Sequence, residues 1–322
     1  MEPTTNESVV ESGSLKKASK VRDYFQLIKF TLSFTVVFSC VICYLLAPNV
    51  EYNWLQVVVL FVAGMLITGS ANAINQAVEK DTDAMMKRTA SRPVASGRMS
   101  QQEAYTFATI AGLLGVFMMG WFFKTENGFN WNAAWLSAFS LFLYAFIYTP
   151  LKKVNSIAVL VGAFPGALPC LIGWVAATGA LNPFETMTVN GKTFSNAGGY
   201  VLFAIQFLWQ FPHFWAIAWV AHSDYSKAGF KLLPAEKGPT RFTAVQGIMY
   251  SVLMIPVGIL PYYFGMTGQV SMWILIAANL FMVVQSIRLY NEMNAKAARR
   301  VMFSSYIYLP IVLLALLADK TI

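Results

Sequence analysis

The chain contains a series of long apolar runs, and these constrain its fold more than any other feature. Each run is about 18–25 residues long, and roughly 20 apolar residues are enough for a helix to cross the hydrocarbon core of a bilayer. Nine runs can be counted, with approximate bounds 29–48, 54–78, 102–122, 131–148, 156–177, 198–220, 242–263, 270–290 and 302–319. The pattern predicts an all-α polytopic membrane protein with nine transmembrane helices.

Composition and charge support this prediction and exclude a large soluble core. Of the 322 residues, 57% are hydrophobic and 12% are charged, against roughly 45–50% and 25% in soluble domains. With the N-terminus in the cytoplasm, every Lys and Arg falls in a cytoplasmic segment except Lys124, Lys192 and Lys320. Cytoplasmic segments of membrane proteins are enriched in these residues. The positions of the basic residues therefore indicate a cytoplasmic N-terminus and account for the net charge of +8, so no nucleic-acid partner is expected.

The N-terminal segment is polar and includes Glu2, Glu7 and Glu11. A mitochondrial transit peptide is rich in Arg and poor in acidic residues, so this segment does not resemble one. We expect residues 1–27 to form a disordered cytoplasmic tail and residues 28–322 to form a single transmembrane domain. The expected location is the inner (cytoplasmic) membrane of a bacterium, where the domain would cross the lipid bilayer several times.

Side chains that carry oxygen atoms recur with helical spacing at the end of the second run. They fall at positions i, i+3 or i+4, i+7 and i+11, which are occupied by Asn72, Asn75 or Gln76, Glu79 and Asp83. Residues with this spacing share one face of a helix, and Asp81 falls outside it. Carboxylates that cluster where a helix leaves the bilayer repel one another unless a cation lies among them. The stripe therefore predicts a Mg²⁺ site, because Mg²⁺ takes oxygen ligands and completes its shell with substrate phosphates.

A basic cluster follows the acidic stripe and contains Lys87, Arg88, Arg92 and Arg98. Its side chains can donate to phosphate oxygens that a metal leaves uncovered, and the loop from Lys87 to Met99 is expected to close over them. The alternative is that the acids only neutralise these basic residues in a solvated loop. Buried amides on a membrane helix are costly, so the Asn residues favour a site that binds a metal and a diphosphate.

Two further segments carry polar side chains near the same membrane face. In the sixth run, Pro212 interrupts helical hydrogen bonds beside the polar His213, and Asp224 is the acid at the exit of this run. At the end of the fourth run, Tyr148 and Lys152 are spaced as neighbours on one helical face. For Lys152, a role in the site and a role as a cytoplasmic anchor are equally supported.

These residues carry a resemblance to the UbiA superfamily of intramembrane aromatic prenyltransferases, whose first acidic motif is NDxxDxxxD. Here the motif is Asn75-Gln76-x-x-Glu79-x-x-x-Asp83, a variant typical of the branch that modifies haem. Further elements resemble that branch: Lys87-Arg88-Thr89, Arg92-Pro93, Tyr148-Thr149-Pro150-Leu151-Lys152, Gly166-Ala167-Leu168-Pro169, Gly173-Trp174, Trp209-Gln210-Phe211-Pro212-His213-Phe214, Asp224-Tyr225-x-x-Ala228-Gly229 and Leu232-Leu233-Pro234. They occur in the expected order over most of the chain. The second motif of the superfamily, DxxxD, departs here because Asp224 is followed by Ala228.

The resemblance implies a UbiA-like helical bundle in which residues 28–322 form the prenyltransferase domain. It implies catalytic roles for Asn75, Glu79, Asp83, Tyr148, Lys152 and Asp224. Of these, the residues expected to hold Mg²⁺ are Asn75, Glu79, Asp83 and Asp224. The residues expected to bind the diphosphate are Lys87, Arg88 and Arg92. His213 is a candidate axial contact to haem iron, and a purely structural histidine in a polar helix break is an equally good interpretation.

The function implied by the resemblance is transfer of a farnesyl group from farnesyl diphosphate to a vinyl group of protohaem IX (haem B), which gives haem O. Haem B is then a substrate, and a downstream haem-modifying enzyme is an expected partner. One alternative is prenylation of an aromatic acid that serves as a quinone precursor. Another is an ion-coupled transporter, although its polar residues would be expected near the bilayer midplane rather than at one face.

Overall fold

The computed structural model describes residues 19–48, 50–235 and 238–321, and within them the chain is mostly helical. The helices are α1 (Lys20–Leu27), α2 (Phe30–Leu46), α3 (Trp54–Val78), α4 (Lys80–Met85), α5 (Gln101–Phe122), α6 (Trp131–Phe142), α7 (Thr149–Leu151), α8 (Ala158–Thr178), α9 (Ala197–Val220), α10 (His222–Lys227), α11 (Arg241–Tyr263), α12 (Gln269–Glu292) and α13 (Ala295–Ala318). A π-helical segment, Leu143–Tyr148, joins α6 to α7. Between α8 and α9, strands β1 (Thr186–Val189) and β2 (Lys192–Ser195) form an antiparallel hairpin.

The number of membrane spans agrees with the prediction from the apolar runs. Within the described residues, eight helices are long and apolar enough to cross a bilayer, and the pair α1 and α2, bent by 49°, brings the number to nine if the two helices form one span. The last helix begins at Ala295 rather than near residue 302, because Asn294 accepts a hydrogen bond from the Ala297 amide at 2.8 Å and caps its first turn. Hydropathy alone misses this polar turn. The cytoplasmic position of the N-terminus stays a prediction.

Helix α1 lies within the segment that was expected to be disordered. Its Asp23 is buried and forms an ion pair with Arg98, with Nε and Oδ1 2.9 Å apart. Arg98 also donates to the Gln26 side chain at 3.0 Å and to the Ser91 carbonyl at 3.0 Å. These partners are distant in sequence, so composition could not reveal them. Residues 1–18 lie outside the described part of the chain, and the division into domains stays a prediction.

The bend between α1 and α2 is held by amide side chains from α3. Asn72 Nδ2 donates to the Ile28 carbonyl at 3.2 Å, and Gln76 Nε2 donates to the carbonyls of Gln26 and Leu27 at 2.9 and 2.8 Å. These are carbonyls at the end of a helix, which lack partners within that helix. Two of the buried amide side chains in the predicted stripe, Asn72 and Gln76, therefore fix the backbone between α1 and α2 and donate to it rather than to a ligand.

Small residues allow the spans to pack closely, as is common between helices in membranes. At Gly173 of α8, a Cβ atom would overlap the carbonyl oxygen of Cys40 in α2. Any larger residue at this position would push the two helices apart. The contact brings α8 against the first span, next to the helices that carry the polar stripe.

A short segment after α13 ties three spans together at the end of the bundle opposite the stripe. Lys320 Nζ donates to the carbonyls of Leu45 and Ala47 at 2.9 and 2.8 Å, so it caps the end of α2. Asp319 Oδ2 accepts from the Ser271 amide at 2.7 Å, in the first turn of α12. Both contacts satisfy backbone groups that a helix end leaves without partners.

Candidate active site

The acidic stripe keeps its helical spacing across the junction of α3 and α4. The Glu79 amide bonds to the Asn75 carbonyl at 2.9 Å, and the Asp83 amide bonds to the Glu79 carbonyl at 2.7 Å. As a result Asn75, Glu79 and Asp83 lie on the same side and are buried, with 1%, 5% and 1% exposure. Asp81 is exposed, on the other side of α4. The structure thus places three of the four residues predicted to hold the metal, Asn75, Glu79 and Asp83, on one side of the helix.

Each of these three side chains accepts a hydrogen bond from a different basic residue. The pairs are Lys29 Nζ to Asn75 Oδ1 at 2.8 Å, Lys152 Nζ to Glu79 Oε1 at 2.9 Å, and Arg92 Nη1 to Asp83 Oδ1 and Oδ2 at 2.8 and 2.7 Å. The basic residues therefore outnumber the carboxylates in this cluster. Buried charge without a counter-ion is unfavourable, so the cluster is suited to bind an anion.

Lys152 is the most enclosed of these cations, with 7% exposure. Its Nζ lies 4.6 Å from the centre of the Tyr148 ring and 5.7 Å from that of Phe230. The Lys152 carbonyl also accepts from the Lys231 amide at 2.8 Å, which joins the turn after α7 to the chain that follows α10. A surface anchor would extend into water, whereas this side chain is held against aromatic rings and a carboxylate.

The predicted basic cluster divides into separate contacts. Arg92 reaches the stripe, but Arg88 points to α10, where its Nη2 donates to the Tyr225 hydroxyl at 3.2 Å. Lys87 is exposed. The short helix α4 ends at Met85, and the turns that follow carry successive basic side chains in different directions. Sequence spacing did not reveal this division, because irregular turns have no fixed periodicity.

The second predicted site is less completely assembled. Asp224 lies partly buried on α10, and its carboxylate has no ion-pair or hydrogen-bond partner among the described residues. Within the part of the chain that the structure describes, no three His, Cys, Asp or Glu side chains meet closely enough to enclose a metal. The donors still suit Mg²⁺, which prefers oxygen and binds through one or two carboxylates plus substrate phosphates. Glu79 and Asp83, with the Asn75 amide, fit that role.

His213 lies inside α9 with 9% exposure. Its Nδ1 is 2.8 Å from the Ser305 hydroxyl of α13, and its ring stacks on Trp209 at 4.6 Å between centroids. The Tyr306 ring approaches it edge-on at 5.3 Å. This environment is aromatic and holds the imidazole in a defined orientation.

Sequence reasoning missed Lys29 as a site residue. Its position at the start of an apolar run is typical of a basic residue that marks the cytoplasmic side of the membrane. The structure instead turns the side chain to Asn75 in the site. No local signal in the sequence distinguishes these cases, because the direction of the side chain depends on the bend between α1 and α2.

Within the described residues, eight or nine candidate spans form a bundle with a cluster of charged side chains at one end. A family model described as the UbiA prenyltransferase family matches residues 36–308. The chain therefore belongs to the UbiA prenyltransferase family and is a multi-pass membrane prenyltransferase. This agrees with the family that the motifs predicted.

Curated relatives within this family carry a more particular name. The chain is 45% identical over 303 residues to a protoheme IX farnesyltransferase from Cytophaga hutchinsonii, a match that covers 94% of this chain and 99% of that one. It is 40% identical over 305 residues to a protein of the same name from Flavobacterium johnsoniae, covering 92% and 94%.

Solved structures support the fold. The structure of a digeranylgeranylglyceryl phosphate synthase matches with a TM-score of 0.70 at 22% identity, covering 93% of this chain and 98% of that one. A UbiA homologue from Archaeoglobus fulgidus, bound to GPP and Mg²⁺, matches with a TM-score of 0.62 at 15% identity, covering 91% and 99%. Both comparisons indicate a UbiA-like helical bundle.

Proposed function

We propose that this prenyltransferase moves the farnesyl group of farnesyl diphosphate to a vinyl group of protohaem IX and so makes haem O. The observation that carries the proposal is the buried stripe in which basic side chains outnumber carboxylates. Such a cluster suits a diphosphate, and its place at one end of an apolar bundle suits a prenyl tail. The names of the relatives favour protohaem as the acceptor. The bacterial inner membrane is the location that fits these relatives.

The first step would be loss of the diphosphate from the allylic carbon. Asn75, Glu79 and Asp83 would hold Mg²⁺, with Asp224 as a further ligand, and the ion would neutralise charge on the leaving group when bound. Arg92 and Lys152 would donate to the diphosphate oxygens. Lys87 and Arg88, in the loop from Lys87 to Met99, would also approach these oxygens. The carbon–oxygen bond breaks, and its electron pair leaves with the diphosphate.

The second step would join the farnesyl cation to the acceptor. A carbocation survives only where water is excluded, and the Tyr148 ring beside Lys152 offers a π-face to stabilise it. The vinyl group supplies the electron pair for the new carbon–carbon bond. Water then adds to the resulting cation and releases a proton, which leaves a hydroxyethylfarnesyl side chain.

An assay with purified protein in lipid tests the proposal. Haem B and farnesyl diphosphate should give haem O in a reaction that needs Mg²⁺ and stops on chelation. A hydroxybenzoate in place of haem B should give no prenylated product, as measured by mass spectrometry. A prenylated benzoate without haem O would instead support the quinone-precursor alternative. No product with either acceptor would contradict both and favour the ion-coupled transporter.

Substitution of His213 by Ala tests the axial-ligand hypothesis for haem. If Nε2 binds the iron while Nδ1 stays with Ser305, the affinity for haem should fall by about tenfold or more and the absorption spectrum should change. The matched control is His222→Ala, because His222 is the other histidine of the chain and lies on α10. If the haem affinity and the spectrum of the His213 variant are unchanged, His213 has a structural role and does not bind the iron.

A further inference from the structure

Lys29 has a backbone conformation that residues with a side chain rarely adopt. Its φ and ψ are 47° and 58°, in the left-handed region. Of the described non-glycine residues, only Lys29, Asn190 and Met293 have positive φ. This conformation is unfavourable for an L-residue, because Cβ approaches the following carbonyl oxygen, and it persists only where the surroundings enforce it. Here the amides of Asn72 and Gln76 enforce it by holding the preceding carbonyls.

The strained backbone directs the Lys29 side chain into the candidate site. Its Nζ donates to Asn75 Oδ1 at 2.8 Å. The Asn75 amide is oriented by its other end, since Nδ2 donates to the Thr149 hydroxyl at 3.3 Å.

Lys29 differs from the other two cations in the nature of its partner. Lys152 and Arg92 each pair with a carboxylate, whereas Lys29 meets a neutral amide oxygen. An ammonium in a largely enclosed site is stabilised best by a negative charge. The protein holds a cation in a strained conformation without giving it an anion, so the missing anion is expected to come from a ligand.

We propose that Lys29 binds the diphosphate of the prenyl donor, together with Arg92 and Lys152. The proposal rests on the proposed function, because it assigns a further residue to the same donor site. In the structure, the Asn75 side chain holds the ammonium in place. When the donor binds, the ammonium donates to a phosphate oxygen, and the Asn75 oxygen becomes available to other ligands.

The test is calorimetric binding of inorganic pyrophosphate with Mg²⁺ to the purified full chain. Lys29→Gln should weaken binding by about tenfold or more, because it removes a charge-assisted hydrogen bond. Lys20→Gln is the matched control: Lys20 lies on α1 and pairs with Glu103 outside the site, so binding should be unchanged. Lys29→Gly should also weaken binding. The melting temperature of this variant should equal or exceed that of the wild type, because Gly adopts the left-handed conformation of residue 29 without strain.

The possible outcomes separate this inference from the function it rests on. If the wild type binds pyrophosphate and Lys29→Gln binds it equally well, the role of Lys29 is wrong and the donor site stands. An equal loss in Lys20→Gln would also overturn the inference, because the effect would then be general to α1. If the wild type itself does not bind pyrophosphate with Mg²⁺, the proposed donor site is wrong and the inference fails with it.

Discussion

Replacing Glu79 with Gln, or Asp83 with Asn, is expected to lower the rate of haem O formation by about 100-fold or more. Each substitution keeps the size of the side chain but removes a charge that would help to hold Mg²⁺ against the diphosphate. The measurement is kcat with saturating farnesyl diphosphate and haem B. Near-normal kcat in both variants would contradict the metal site.

The control for this experiment is Asp81→Asn in the same short helix. Asp81 is exposed and lies outside the stripe, so its variant should retain most of the activity. A loss as large as that of Asp83→Asn would show that the assumed orientation of α4 is wrong. Because Glu79 and Asp83 are buried in ion pairs, each variant should also be checked for membrane insertion and melting temperature.

Lys152→Ala is expected to lower kcat/KM for the prenyl donor by about 10- to 100-fold. The substitution removes a donor to the diphosphate and leaves the Glu79 carboxylate without its partner at 2.9 Å. Steady-state kinetics with varied farnesyl diphosphate measure the effect. Lys153→Ala is the matched control, since Lys153 is the next residue and is exposed.

The Lys153 variant should behave like the wild type in both kinetics and stability. If the Lys152 variant does the same, Lys152 is a topology anchor after all. If both variants lose activity equally, the local positive charge matters rather than the contact with Glu79. A selective loss in the Lys152 variant would support the donor site.

The spans and the acidic stripe could be predicted because each rests on a strong periodic signal. A run of about 20 apolar residues crosses a bilayer as a helix, because only a helix satisfies all its backbone hydrogen bonds within one segment. The helices can therefore be predicted from the apolar runs. Asn75, Glu79 and Asp83 keep helical spacing through the end of α3, which places them on one side. The same spacing put Asp81 elsewhere, and it is exposed.

The remaining details depend on contacts between distant parts of the chain. Arg88, Arg92 and Arg98 look equivalent in sequence, yet they contact Tyr225, Asp83 and Asp23 respectively. Which partner each one meets depends on how the turns after α4 pack against α1 and α10. Lys29 was missed for the same reason, because hydrogen bonds from α3 set the direction of its side chain.

The contact between Lys320 and the end of α2 has a consequence for biosynthesis. The carbonyls of Leu45 and Ala47 leave the ribosome long before the lysine that caps them, which is 275 and 273 residues away in sequence. During insertion these carbonyls must rely on water at the membrane surface. The end of α2 therefore acquires its final hydrogen bonds only after α13 has packed against the bundle.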